Sequence, residues 1–125
     1  MFTKIVRAAF LGAFALVPSL AVADSPGSNQ DFSIYNETGF IIGEVHISRA
    51  NDDKWGPDVL GRDVLGSGEH TRIVFSGYRA DDCMFDMKIR RGNEGVSYVV
   101  EDINLCKLDI ITVTSKGDKV FFHGR

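Results

Sequence analysis

From Asp31 onward, apolar and polar side chains alternate in short runs, which Gly, Asn, Asp or Pro interrupt at intervals of about 8 to 12 residues. The runs are FSIYN (32–36), FIIGEVHISR (40–49), TRIVFSGY (71–78), MFDMKIRR (84–91), VSYVVE (96–101), LDIITVTS (108–115) and KVFFH (119–123). In a strand every second side chain shares a face. In MFDMKIRR this groups Phe85, Met87 and Ile89 on one side and Asp86, Lys88 and Arg90 on the other. The same rule places Ile41, Val45 and Ile47 on one face of the second run, with Glu44, His46 and Ser48 opposite, and turns His46 to solvent. Turns are predicted at Asn36-Glu37-Thr38-Gly39, Gly92-Asn93-Glu94-Gly95 and Gly117-Asp118. After residue 23 no segment sustains a helical period. An apolar sheet face must be covered, so the predicted fold is all-β, an antiparallel β-sandwich of about seven strands.

The N-terminus has a different pattern. Lys4 and Arg7 precede the uncharged run AAFLGAFALVPSLAVA, which ends in Ala21-Val22-Ala23. Positive charge, a short apolar stretch and small residues before a cut site make a secretory signal peptide over residues 1–23. The run is interrupted by Pro18 and is shorter than the roughly 20 apolar residues a membrane anchor needs. DSPGSNQ (24–30) reads as a flexible leader, and residues 31–125 as a single domain. The expected location is the periplasm or the exterior, with no membrane attachment after cleavage. Loss of Lys4 and Arg7 moves the net charge from −3 to −5. An acidic chain has no long-range attraction for phosphate backbones, which argues against nucleic acid as a partner.

Export also bears on the two cysteines, Cys83 and Cys106. In an oxidising compartment a lone pair of thiols becomes a disulfide. A bridge between them closes a loop of about 24 residues, worth roughly 3 kcal/mol on the chain-entropy model. A redox role fits poorly. The chain has no Cys-x-x-Cys, and Asp81 and Asp82 precede Cys83, where negative charge disfavours a thiolate.

The segment WGPDVLGRDVLGSGEH (55–70) breaks the strand pattern with the sole tryptophan, four glycines, a proline and two copies of Asp-Val-Leu-Gly. One reading makes it a structured corner, with Trp55 and the leucines plugging one end of the sandwich. The other makes it a binding surface, with Trp55 as platform and Asp58 and Asp63 as polar anchors.

With DFSIYNETGFIIGEVHIS, WGPDVLG, LGSGEHTRIVF, CMFDMKI and INLCKLDIITV on the page, the chain resembles a family of small exported bacterial proteins of unknown function. The shared pattern is N-x-T-G, W-G-x-D-x-x-G, C-x-x-D and N-L-C, and it spans nearly all of residues 31–114. Some members of that family carry the label argininosuccinate lyase. True lyases of that name are long helical tetramers with a Gly-Ser-Ser-rich catalytic loop, and this chain matches them in neither length, class nor motif. The resemblance therefore implies an exported fold and no mechanism.

The candidate chemistry is sparse. His46, His70 and His123 lack the spacing of a shared metal site, and neither cysteine has the downstream histidine and methionine of a copper centre. Asp52, Asp53, Asp58 and Asp63 supply oxygen ligands for calcium, but without the spacing that wraps a single loop around the ion. No Gly-x-Ser-x-Gly elbow is present. Asn36-Glu37-Thr38 matches a glycosylation acceptor, for which a turn is sufficient explanation. The expectation that remains is a non-enzymatic binding module without a cofactor. It would act through loops or a sheet edge on a protein or envelope component, for example as an inhibitor of an exported hydrolase. A calcium- or transition-metal-binding protein is the alternative, and a small hydrolase a weaker one.

Overall fold

The computed structural model of the protein describes residues 30–75 and 77–125; the expected signal peptide and residues 24–29 of the expected leader lie outside them. Seven strands form two packed sheets: β1 (Phe32–Glu37), β2 (Ile42–Arg49), β3 (His70–Ile73), β4 (Met84–Arg91), β5 (Ser97–Asn104), β6 (Ile110–Lys116) and β7 (Lys119–Gly124). The all-β sandwich is thus the architecture, and every strand falls within or beside an alternating run. One sheet has the order β3-β1-β6-β7, the other β2-β4-β5. Pairing is antiparallel except between β1 and β6, which run parallel. The chain passes from β1 to β2 in the other sheet, returns to the first as β3, and crosses once more through β4 and β5 before it enters as β6, which lies beside β1 and runs in the same direction.

The core lies where the two inner faces meet. Phe32 and Ile34 from β1, with Ile111 and Val113 from β6, oppose Val45 and Ile47 from β2 and Phe85, Met87 and Ile89 from β4. Phe75, Tyr78 and Phe85 add an aromatic cluster, with Phe85 edge-on to Phe75 at 5.4 Å and to Tyr78 at 5.2 Å between ring centres. Phe75 and Tyr78 lie beyond β3, which ends at Ile73, so TRIVFSGY is a short strand followed by a packed loop. That loop is tied to the start of the domain. Asp31 accepts from the Phe75 N–H at 2.8 Å, and the buried Gln30 donates to the carbonyls of Arg79 and Asp82 at 2.7 and 2.8 Å.

The faces of β2 differ from simple alternation. The register slips between Ile42 and Glu44, so Ile42 joins the core while Ile41 is 51% exposed. Gly43 permits this bulge, because a Cβ there would strike the backbone of Gly92.

Cys83 and Cys106 are bridged, with a Cα–Cα distance of 5.1 Å. Cys83 immediately precedes β4 and Cys106 follows β5, so the bridge closes the open end of one hairpin within a single sheet. The Leu105 N–H donates to the Cys83 carbonyl at 2.8 Å beside it.

Candidate functional site

The segment 55–70 is a strap along the outer edge of β2. β2 is an edge strand, and an uncovered edge offers unpaired N–H and C=O groups to other chains. The strap meets those groups singly. Gly56 donates to Ile47 O at 3.1 Å, Val59 donates to Val45 O at 2.8 Å, and Leu65 and Ile42 exchange two bonds of 2.9 Å. A Cβ on Gly56 would press on the Ile47 carbonyl, which is why the chain can approach so closely there. Asp58 completes the cover, its Oδ1 accepting from Val45 N–H at 2.9 Å and Leu60 N–H at 3.0 Å.

Asp58 thus holds the strap to β2 by its own carboxylate. Asp52, Asp53 and Asp63 are exposed, and among the described residues no three His, Cys, Asp or Glu side chains form a group suited to a metal ion. Leu60 and Leu65 belong to the core, in keeping with the corner reading. Trp55 does not. It is half-buried outside the core, with the Lys88 ammonium 5.0 Å from its ring centre, a cation–π contact on the outer face of the β2-β4-β5 sheet.

His46 does not face open solvent, because the strap covers it. Its Nδ1 lies 2.8 Å from Gly56 O and its Nε2 2.8 Å from Glu44 Oε1, while Glu44 Oε2 accepts from Arg90 at 2.8 Å. The Gly56 carbonyl only accepts, so Nδ1 carries the proton of that bond. The hydrogen bond with His46, helped by Arg90, holds the Glu44 carboxyl below its ordinary value of 4.5. The folded chain therefore keeps Glu44 charged at a pH where the unfolded chain takes up a proton. The stabilisation is complete above 4.5 and lost as pH falls through the lower folded-state value. Acid is thus expected to loosen the strap at Gly56 and change the emission of the adjacent Trp55 before the sheets unfold. Glu44→Gln should abolish that early step; an identical acid profile in this variant would refute the link.

At its far end the strap turns through Asn36. Asn36 is fully buried, and its side-chain nitrogen donates to the carbonyls of Phe40 and Leu65, both at 2.8 Å. Its Oδ1 accepts from the Thr38 N–H at 3.0 Å and the Thr38 hydroxyl at 2.6 Å. The N-x-T sequence is therefore an internal corner with its amide hydrogens committed. From the sequence Asn36 was only a turn residue, and its burial on an inward position of β1 is what marks it.

Between the strap and β3 lies a groove of about 520 Å³. Leu60, Val64 and Leu65 supply its apolar lining, Asp63, Glu69 and His70 its polar rim, and Thr71 of β3 one wall. Val64 is 55% exposed, and the Glu69 carboxylate is steadied by the Gly66 N–H at 2.7 Å. At the other end of β3 a hollow of about 190 Å³ is lined by Val59, Val74, Phe75 and Tyr78, with Val74 63% exposed. Two apolar footholds thus sit at the two ends of an edge strand of four residues. Of the residues marked in the sequence, Asp63 lies in the groove, Asp58 holds the strap to β2, and Trp55 meets Lys88 of β4. Glu69 and Val74 carried no signal, and His70 was weighed only as a metal ligand, because the groove exists only once β3 is placed at the edge of its sheet. No family model, no curated protein and no solved structure matches the chain.

Proposed function

We propose that the protein is an exported, non-enzymatic binding module that takes an extended protein segment along the open edge of β3. The observation that supports this reading is the coincidence of an edge strand with apolar hollows at both of its ends. An added strand draws affinity from main-chain hydrogen bonds and specificity from the pockets that receive its alternate side chains. Asp63 and Glu69 at the rim favour a basic residue in the incoming segment, beside apolar ones that fill the hollows. Export fits the disulfide, which leaves neither thiol free and suits an oxidising compartment such as the periplasm or the exterior.

Selection from displayed random nonapeptides tests the reading. Enriched sequences should place Lys or Arg between apolar residues. Val64→Glu, at an exposed position outside the core, should weaken the selected peptides about tenfold or more while leaving the melting temperature in place. Failure to enrich any peptide, or equal binding by the variant, would overturn the proposal.

A further inference from the structure

The four strands of the β3-β1-β6-β7 sheet contain one carboxylate, Glu37, in a chain whose net charge is −3. Register aligns the side chains of its outer face in rows. Arg72 pairs with Ser33, Ser33 with Ile110, and Ile110 exchanges backbone bonds with Arg125. The next row is His70, Tyr35, Thr112 and His123. The hydroxyls of Ser33, Tyr35 and Thr112 therefore lie on the middle strands beside Ile110, and cations or imidazoles stand on both flanks, about 14 Å apart for strands spaced near 4.8 Å. Glu37, Thr114 and Phe121 form the following row, and Lys116 pairs with Lys119 beyond it, so the face carries four cations, Arg72, Arg125, Lys116 and Lys119, against one carboxylate. Among the described residues, Arg72, Lys116, Lys119 and Arg125 enter no ion pair. The centre is braced, since Tyr35 and His70 stack with ring centres 4.5 Å apart and Thr114 Oγ1 lies 3.1 Å from His123 Nε2.

We propose that this face binds an acidic polysaccharide, with its carboxylates on Arg72 and Arg125 and its hydroxyls on Ser33, Tyr35 and Thr112. The charge of the face, opposite in sign to that of the whole chain, selects an anion. The choice of a sugar polymer over an acidic peptide follows from the backbone. On a sheet face the main-chain groups are spent in the ladder, so a polypeptide laid there finds no partners for its own amides, whereas a glycan needs only hydroxyls and cations. This surface is distinct from the β3 groove of the proposed function, although His70 borders both.

Affinity electrophoresis through gels containing polygalacturonate, neutral dextran or poly-glutamate tests the proposal. The protein should be retarded by polygalacturonate, more weakly at high salt, and not by dextran. Removing Arg72 and Arg125 together (Arg72→Ser, Arg125→Ser) should weaken retardation about tenfold, the scale expected of two charge-assisted contacts. The control pair Lys54→Ser and Arg62→Ser removes the same charge from exposed positions outside this sheet and should change it less than about twofold. Tyr35→Phe, which leaves charge and stacking in place, should weaken it about threefold. Absence of retardation, equal retardation by poly-glutamate, or an equal loss in the control pair would overturn the proposal. Val64→Glu should leave polygalacturonate retardation intact, which separates this surface from the peptide groove.

Discussion

Asn36→Leu is expected to lower the unfolding free energy by about 3 to 4 kcal/mol, measured as the shift of the urea midpoint followed by Trp55 fluorescence. Leucine roughly fills the volume and makes none of the four hydrogen bonds. The carbonyls of Phe40 and Leu65 keep other donors, the Thr38 hydroxyl and the Ile42 N–H. The Thr38 N–H has no such substitute and is left unsatisfied in a buried setting. A net loss of about 1 kcal/mol per ordinary bond, with the orphaned donor adding to it, gives the estimate. Thr38→Val, which keeps Asn36 but takes the hydroxyl from Asn36 Oδ1 and from the half-buried Phe40 N–H, should cost less, about 1 to 2 kcal/mol. If the two variants unfold alike, Asn36 does not hold the corner.

Replacing both cysteines, Cys83→Ala with Cys106→Ala, should remove about 3 kcal/mol and lower the melting temperature by roughly 12 to 24 °C. A domain of this size has a total stability of only about 5 to 15 kcal/mol, so the variant is left near the margin. The location of the bridge refines the expectation. It ties strands already joined by a ladder, so hydrogen exchange should accelerate first around Phe85, Ile103 and Leu105, next to the open end of the hairpin. Uniform acceleration throughout both sheets would show that the bridge acts on the unfolded chain alone.

The strands were legible because each has one wet face, and MFDMKIRR shows this most plainly: Phe85, Met87 and Ile89 are all buried, as the period of two requires. The assignment of Ile41 to the core failed at a bulge. Two residues opposing one is a property of pairing, invisible in a single strand, and only the close approach of Gly92 to Gly43 shows why it occurs there. The strap was legible as an anomaly but not as an edge cover, since its contacts with β2 are isolated and leave no periodic trace. His46 looked exposed for the same reason: its position on the strand is outward, and the chain that covers it comes from ten residues away. The parallel pairing of β1 with β6, and with it the groove and the cationic face, depends on strand order, which local pattern does not encode.

That parallel pair also bears on the order of assembly. β1 is the first strand of the fold, yet its neighbour on one side is β6, the sixth. Until β6 docks, β1 presents a bare edge on that side, and loop-closure entropy across the intervening chain slows its capture. Truncation before Ile110 should therefore leave a species prone to self-association rather than a smaller folded domain.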